Sequence, residues 1–448
     1  MKNVPVAKSE TIEAEISDLA YGGEGFAKYQ NFAVFIPYGV PGDRVKAVIN
    51  EVKPNYARAE ITSVISRSSS YREPECPAFM TCGGCSWLHT DYKTQLFYKK
   101  KFVLKNLSLP EESPEITGYE DPFFYRMRAQ YKLAYEKGEL KCGFYKAGSH
   151  DVCDVKKCYI VRPEINSLMD SVRALLEAEK KVIQFYDEKS HSGYLRHIAV
   201  RVNSEGHLLL TFIVLQDSLK PYLKQTALAL MDKHPELKGV TLNINTARGN
   251  RVFGEKENVI AGQEFITENF MGTGFKLKSD TFFQINTAML AVMADFIGAH
   301  TGSGVRLLDL YGGVGALSLP FRERFEKLTV LEMNREAVRS LKKTAWEAKI
   351  ENIEAVEGDA DKEALPMLSK HEYDLVIIDP PRKGASKGVI EALKKHPPKK
   401  IIYISCNPAT LGRDMKELSA VFETAQTGIF DLFPQTYHVE TAVVLNRR

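Results

Sequence analysis

The C-terminal third of the chain alternates short apolar runs with helix-length segments, and this pattern constrains the fold most strongly. The runs read LLDLYGGVG, LTVLE, DLVIIDPP and IIYISCNP. Apolar runs of this length that lack polar alternation are typical of strands buried on both faces of a sheet. Helical segments between them predict βα units and a doubly wound, mostly parallel sheet. We therefore expect residues 271–448 to form one α/β domain, which Ile429–Phe433 and Val439–Leu445 finish as paired strands.

Acidic residues and glycines stand where these strands end, which is where open α/β sheets bind ligands. The turn Gly312–Gly315 lets a ligand approach the backbone closely. Its string DLYGGVGA differs from the GxGxxG of dinucleotide sites, which are the competing interpretation. Glu332 ends the second strand and is placed to grip a ribose, and Asp359 follows the third and is placed to hold an adenine edge.

Cys406 follows the strand Ile401–Ile404 and precedes Asn407-Pro408, which breaks the strand and favours the start of a helix. A cysteine on such a loop is a candidate nucleophile. A buried structural thiol is, for an isolated cysteine, the slightly more common alternative.

The remaining six of the seven cysteines lie between residues 76 and 158. Cys76, Cys82 and Cys85 have the spacing C-x5-C-x2-C, and glycines 83 and 84 allow a tight bend that brings thiolates to one metal centre. A fourth ligand would come from Cys142, Cys153 or Cys158. A structural zinc and an iron–sulfur cluster both remain open, and the missing second C-x2-C hook favours a [4Fe–4S] cluster.

Short β-type runs separated by Gly and Pro turns predict a small barrel over residues 1–66.

The pattern of residues 67–270 predicts an α+β domain, with a hairpin around Asn203–Gly206. In it, the stretch 121–135 interleaves arginines with aromatics, which suits either an RNA surface or an amphipathic strand. The lysines 99–101, with Lys93 and Lys105, are expected to form the polar face of a helix.

The composition is that of an ordinary globular protein: 448 residues, 44% hydrophobic, 26% charged, with a net charge of +3. This charge neither demands nor excludes a nucleic-acid partner. The sequence has no apolar run of membrane-spanning length and no signal-peptide core at its start, so we expect a cytoplasmic protein without a membrane partner.

Two resemblances narrow these expectations. The strings GEGFAK, FIPYGVPGD and ARAEI resemble a TRAM domain, an OB-like barrel appended to RNA-modifying enzymes. The strings IDPPRKG, SCNPATLGRD and PQTYHVETAVVL resemble the RNA uracil-5-methyltransferase family, in particular its 23S rRNA branch with a TRAM domain and an iron–sulfur cluster. The resemblance implies a class I fold that uses S-adenosylmethionine and acts, as a monomer, on carbon 5 of a uridine flipped out of 23S rRNA.

The same resemblance implies roles for individual residues. Cys406 would add to carbon 6 of uracil, and Glu440 would remove the proton from carbon 5. The residues implied in the cofactor site are Gln284, Tyr311, Glu332, Asp359 and Asp379, and the implied cluster ligands are Cys76, Cys82, Cys85 and Cys158. Two alternatives stay open, methylation of tRNA uridine-54 and a non-catalytic RNA-binding assembly factor on the same scaffold.

Overall fold

The computed structural model describes residues 4–218 and 220–448, so the first three residues of the predicted 1–66 domain lie outside it. The N-terminal unit is a six-stranded sheet in the order β1-β5-β6-β4-β3-β2 with its own hydrophobic core. Alternate side chains of β5 are buried, as a period of two requires. The strands are β1 (Thr11–Glu15), β2 (Asp18–Leu19), β3 (Gly25–Tyr29), β4 (Phe32–Ile36), β5 (Arg44–Val52) and β6 (Tyr56–Ser66).

The middle of the chain is a mixed seven-stranded sheet with two helices, α2 (Pro163–Ala178) and α3 (Lys220–Lys233). The predicted hairpin is present, because β11 and β12 pair antiparallel around Asn203. In chain order, the strands are β8 (Arg128–Glu136), β9 (Glu139–Tyr145), β10 (Val152–Asp154), β11 (Leu195–Val202), β12 (Leu208–Val214), β13 (Leu237–Ile244) and β14 (Lys256–Gly262). In the sheet they lie side by side in the order β10-β9-β8-β11-β12-β13-β14.

The C-terminal unit is an eight-stranded sheet in the order β19-β18-β17-β20-β21-β23-β22-β7. Its first five strands are parallel, and β23 runs antiparallel to both neighbours. The strands are β7 (Ile116–Thr117), β17 (Gly304–Leu310), β18 (Phe325–Glu332), β19 (Ile353–Glu357), β20 (Leu375–Ile378), β21 (Lys400–Ser405), β22 (Phe422–Phe430) and β23 (Glu440–Arg447). The predicted doubly wound sheet is confirmed.

Helices cover the sheet and begin with local caps. Asn286 caps α4 (Thr287–Thr301), Asn334 caps α5 (Arg335–Glu347), Asp359 caps α6 (Ala360–Lys370), Ser386 caps α7 (Lys387–Lys395) and Asn407 caps α8 (Pro408–Leu418). Each cap side chain accepts a hydrogen bond from a backbone N–H that the helix leaves unpaired. A 3₁₀ helix spans Leu319–Arg324. In the part of the chain that the structure describes, no helix has the length and apolarity of a membrane span.

The segment between the barrel and the middle sheet joins the C-terminal sheet. Helix α1 (Tyr92–Leu107) packs on α8, and β7 pairs parallel with β22. A separate hairpin of β15 (Ile266–Phe270) and β16 (Thr273–Leu277) has its turn at the predicted boundary 270/271. The domain limits inferred from the sequence remain predictions.

The lysines of α1 do not all lie on a polar face, and that expectation is wrong for Lys99. Its side chain is fully buried, and its Nζ donates to Asp431 Oδ1 at 2.6 Å and to the Phe433 carbonyl at 3.0 Å. Burial alone lowers the pKa of Lys99, and the Asp431 carboxylate opposes that shift. The predicted strand Ile429–Phe433 also ends earlier, at Phe430, and the side chain of the next residue, Asp431, accepts from Lys99 and Tyr92.

We predict that Lys99→Ala destabilises the protein by about 3–5 kcal/mol, since it leaves the Asp431 carboxylate buried without a cation. Urea unfolding followed by the fluorescence of Trp87, which is fully buried beside α1, measures this loss. Lys105→Ala, an exposed lysine of the same helix, should change the free energy of unfolding by less than about 0.5 kcal/mol. Equal effects of the two substitutions would contradict the prediction.

Candidate active site

A cavity lies at the carboxyl ends of the parallel strands, at the turn after β17. Parallel strands end at the same edge of a sheet, so residues far apart in the sequence meet there. Three of the five predicted cofactor residues line this cavity, together with glycines of the turn and one further acid. The lining includes Gln284, Asp309, Tyr311, Gly312, Gly313 and Asp379.

The turn after β17 is built from residues with left-handed backbone. Tyr311, Gly313 and Gly315 have φ of 64°, 56° and 79°. Glycine adopts this conformation without strain, whereas Tyr311 does so at a cost of order 1–3 kcal/mol, a pattern that clusters at functional sites. Glu332, at the end of β18, accepts hydrogen bonds from the backbone N–H of Gly313 at 3.0 Å and of Asn334 at 2.6 Å. The carboxylate therefore lies against the glycine turn, beside the cavity.

Asp359 is less directly connected to this cavity than the other predicted cofactor residues. It is exposed, and its side chain accepts from the backbone N–H of Asp361 at 3.0 Å at the start of α6. Its carboxylate is thus already used as a helix cap. The structure brings Gln284, Tyr311 and Asp379 together and places Glu332 beside them, while Asp359 does not line the cavity.

Asp309 is a site residue that the sequence analysis did not select. It is 1% exposed in β17, lines the cavity and accepts a hydrogen bond from Ser318 Oγ. Burial, with the nearby Asp379 and Glu332, raises its pKa to about 7. The sequence signal that points to Asp309 is its position at the start of the DLYGGVGA string, just before the glycine turn.

Cys406 lies on the loop between β21 and α8, as predicted. Asn407 Nδ2 and Thr410 Oγ1 both donate to the carbonyl of Arg382, at 3.0 Å and 3.4 Å, and join this loop to the segment after Asp379. Burial raises the pKa of the Cys406 thiol to about 12, Glu440 and Asp379 add to the rise, and Arg382 opposes it. The thiol is therefore close enough to both carboxyl groups and to one guanidinium to interact with their charges.

Glu440 is buried, at 3% exposed, as the first residue of β23, where it pairs with Phe430. Its burial and the like charge of Asp379 raise its pKa well above the usual range, against the influence of Arg382. Burial also raises the pKa of Asp379, to about 7. Two adjacent carboxyl groups in such surroundings hold a proton near neutral pH, which is the property required of a general acid or base.

His438 is a second residue that the sequence analysis did not select. Its Nε2 lies 3.2 Å from Nη2 of Arg382, and its ring stacks at a tilt on Tyr437 with centroids 4.2 Å apart. Burial and the Arg382 charge lower the pKa of His438 to about 4, so the ring is neutral near pH 7 and accepts from the guanidinium. This contact orients Arg382 beside Cys406.

A separate cavity of about 390 Å³ in the middle of the chain is lined by Cys76, Cys82, Cys85 and Cys158. Asn166 of α2 holds the last of them through two hydrogen bonds of 3.0 Å with the backbone of Cys158. The other two candidates for a fourth ligand, Cys142 and Cys153, are buried on β9 and β10 and do not line this cavity. The structure thus brings together the four thiols selected from the sequence.

The thiols surround a shared space and do not converge on one point. Among residues 4–218 and 220–448, no three His, Cys, Asp or Glu side chains are grouped closely enough to hold a single metal ion. Burial raises the pKa of Cys85 and Cys158, and that of Cys82 to about 11. Neighbouring thiols contribute to each rise, so the four sulfurs are electrostatic neighbours. Because a metal centre binds thiolates, these four thiols must lose their protons when they bind one.

In the stretch 121–135, two of the four aromatics on which the RNA-surface interpretation rested are buried, while Phe123 and Phe124 are half-buried. Tyr125 is buried, and its hydroxyl donates to the Pro434 carbonyl at 3.0 Å, while Tyr131 is 2% exposed in the core of the middle sheet. Buried rings cannot stack on bases. In this stretch Arg126 lines the thiol cavity, and β8 has the alternating burial of an amphipathic strand. Both interpretations of the stretch stay predictions.

The sheet order, with a last antiparallel strand, a glycine turn and acids at successive strand ends, defines an S-adenosylmethionine-dependent methyltransferase fold. A family model for tRNA (uracil-5-)-methyltransferase matches residues 91–448, and a TRAM domain model matches residues 5–62. The chain belongs to the tRNA (uracil-5-)-methyltransferase family and carries an N-terminal TRAM domain. It is an RNA uracil-5-methyltransferase.

Relatives match over nearly the full length. An uncharacterised RNA methyltransferase of Nostoc sp. is 34% identical over 98% of this chain and 96% of its own. Another uncharacterised RNA methyltransferase, from Clostridium tetani, is 31% identical over 99% of this chain and 98% of its own. The solved Pyrococcus abyssi tRNA (uracil-54, C5)-methyltransferase in complex with S-adenosyl-L-homocysteine is 21% identical, with a TM-score of 0.77 over 97% of this chain and 99% of that one. At that identity the likeness demonstrates the fold.

Proposed function

We propose that this enzyme methylates carbon 5 of one or more uridines in 23S rRNA through a covalent intermediate on Cys406. The observation that carries the proposal is the meeting of one thiol, two carboxyl groups with raised pKa and one guanidinium beside the glycine turn. A nucleophile, a base and a charged orienting group are what covalent catalysis at a pyrimidine requires.

Carbon 5 of uracil is too weak a nucleophile to take a methyl group unaided. In the proposed reaction the Cys406 thiolate adds to carbon 6, and the electrons of the double bond move into the ring as an enolate. When bound, S-adenosylmethionine would supply the electrophilic methyl group to carbon 5, with S-adenosylhomocysteine as the leaving group once the methyl–sulfur bond breaks. Since burial and two acids disfavour the free thiolate, Arg382 is the group that favours it in this site.

Glu440 is proposed to complete the reaction as a base. It takes the carbon 5 proton, the electrons of that C–H bond re-form the double bond, and the sulfur–carbon 6 bond breaks to release Cys406. A carboxylate with a raised pKa suits this proton transfer near neutral pH. Asp379, whose pKa of about 7 leaves it partly protonated at neutral pH, would hold the uracil edge together with Arg382.

The residues in and beside the glycine-turn cavity fit the cofactor chemically. Gln284, Tyr311 and Asp379 would bind its amino-acid part, and Glu332 its ribose. Asp359 would hold the adenine edge, which requires its carboxylate to serve both the ligand and the start of α6. The left-handed turn 311–315 lets a ligand lie directly against the backbone.

The RNA substrate is inferred from the appended modules. A base must leave its stack to reach Cys406, so the target should be a loop or an unpaired segment of 23S rRNA, bound by a monomer in the cytoplasm. The TRAM domain and the thiol cavity support the rRNA branch. The likeness to a tRNA (uracil-54, C5)-methyltransferase makes tRNA the alternative substrate. A non-catalytic assembly factor has no need of the buried Glu440 beside Cys406.

We propose that the thiol cavity holds a [4Fe–4S] cluster on Cys76, Cys82, Cys85 and Cys158. Four cysteines and no histidine around a space of about 390 Å³ are a donor set typical of such a cluster. When bound, the cluster supplies a rigid cross-link, since four thiolates from distant segments are then tied together. Redox chemistry is not required by the methyl transfer.

The covalent step is tested with RNA that contains 5-fluorouridine, whose carbon 5 has no proton to lose. We expect a stable protein–RNA adduct on denaturing gels with the natural enzyme and none with Cys406→Ala, which should still bind the cofactor. With ordinary RNA, Glu440→Gln should accumulate the adduct because the proton stays on carbon 5. Glu423→Gln, an exposed glutamate of β22, is the matched control. Turnover by Cys406→Ala would refute the mechanism.

The cluster is tested by metal analysis of anaerobically purified protein. We expect a brown protein with about four irons per chain, and loss of most of the iron in Cys158→Ala. Cys153→Ala removes a nearby cysteine that lies outside the cavity and should keep its iron. A colourless protein with one zinc would refute the cluster.

The substrate is tested by mapping 5-methyluridine in RNA from a strain that lacks the gene. We expect the loss of one or two specific 5-methyluridines from 23S rRNA, with the tRNA complement unchanged. Restoration of the site by the natural gene and not by Cys406→Ala would link the loss to this active site. Loss confined to tRNA would favour the alternative substrate.

A further inference from the structure

The TRAM barrel contributes one side chain to the candidate active site. The hydroxyl of Tyr21, in the loop between β2 and β3, donates to the backbone carbonyl of Cys406 at 3.2 Å. The two residues are 385 positions apart in the chain. Burial and the nearby Cys406 thiol raise the pKa of Tyr21, so its hydroxyl stays protonated and remains a donor.

Tyr21 is 37% exposed, and its ring contacts two other aromatic rings. It packs edge-on against Phe102 of α1, with centroids 5.6 Å apart, and against Tyr437, at 5.4 Å. Tyr437 is the neighbour of His438 and stands three residues before Glu440. Tyr21 therefore touches the loop that carries the nucleophile and the loop that leads to the proposed base.

The loop that carries Tyr21 is closed by its own hydrogen bonds and lies directly against Ser86 and Trp87. It is closed by backbone hydrogen bonds between Ala20 and Glu24 at 2.8 Å and between Gly23 and Ala20 at 3.0 Å. The Gly23 carbonyl also accepts from Nε1 of the fully buried Trp87 at 3.0 Å. A Cβ on Gly23 would lie 2.8 Å from Cβ of Ser86, so only glycine allows this close approach.

We propose that Tyr21 is a positioning residue for the covalent step, which fixes the backbone of Cys406 and thereby aims its thiol at carbon 6 of the target base. The inference rests on the proposed function, because it assigns Tyr21 to the Cys406 addition. It also gives the barrel a role beyond binding RNA: the nucleophile is held correctly only when the barrel is docked. A hydrogen bond to a carbonyl on a strand-end loop, where no ladder holds the backbone, is suited to this task.

The test compares Tyr21→Phe, which removes only the hydroxyl, with the natural enzyme on 5-fluorouridine RNA. We expect adduct formation at saturating RNA to be about fivefold slower, as the loss of one hydrogen bond predicts. The dissociation constant for RNA and the melting temperature should stay unchanged. Gly23→Ala, which displaces the loop while keeping the hydroxyl, should slow the adduct as well. The control Tyr56→Phe alters a barrel tyrosine whose ring packs on Phe35, and should change nothing.

The results of this test distinguish a failure of the Tyr21 inference from a failure of the proposed function. An adduct rate equal to that of the natural enzyme in Tyr21→Phe would overturn the inference alone. Weaker RNA binding with an unchanged rate at saturation would also overturn it, since Tyr21 would then be an RNA contact. If the natural enzyme forms no adduct, the proposed function fails and the inference fails with it. A slower rate of labelling of Cys406 by iodoacetamide in Tyr21→Phe, measured without RNA, would support it independently.

Discussion

The buried ion pair between Lys99 and Asp431 is the interaction on which the geometry of the active site depends. Both side chains are fully excluded from solvent, and Asp431 also accepts from Tyr92 Oη at 2.9 Å. A buried pair of charges recovers its desolvation cost only with good geometry and further hydrogen bonds, so it admits one arrangement of the elements that carry it. Here it joins α1 to the loop between β22 and β23. That loop leads directly to His438 and Glu440, so the position of the proposed base is set by a helix from another part of the chain.

The same loop is held by the segment that contains the cysteine motif. The Gln435 carbonyl accepts from the backbone N–H groups of Ser86 and Trp87 at 3.1 Å and 3.0 Å. Ser86 Oγ accepts from the backbone N–H of Tyr437 at 3.2 Å. Gln95 Nε2 donates to Gln435 Oε1 at 2.9 Å, and Gln95 Oε1 accepts from the backbone N–H of Gln435 at 3.0 Å. Since Cys85 directly precedes Ser86, the thiol cavity and the active site share one piece of backbone. The cysteine segment and the loop that leads to Glu440 are thus joined by direct hydrogen bonds.

The electrostatics of the site follow from burying several acids at one edge of a sheet. Asp309, Asp379 and Glu440 all have raised pKa values because each is buried, and the charge of Asp379 adds to the rise at Asp309 and Glu440. Arg382, oriented by His438, is the cation that acts on Cys406 and Glu440. A cavity with this excess of acids favours a cationic ligand such as a sulfonium, and its carboxyl groups can exchange protons near neutral pH.

Much of this protein was determined by the sequence alone, because the relevant signals are local. Apolar runs such as Leu375–Ile378 predicted the buried parallel strands, the Asn407-Pro408 step predicted the loop after Cys406, and the spacing of Cys76, Cys82 and Cys85 predicted three thiols on one cavity. Tertiary structure alone decided the burial of Lys99, the place of Asp309 and His438, the use of Asp359 as a helix cap and the approach of Tyr21. These depend on pairs such as Lys99–Asp431 and Tyr21–Cys406, 332 and 385 residues apart. Periodicity and turn chemistry report on neighbours along the chain, whereas burial and a partner's charge are created only when distant segments pack together.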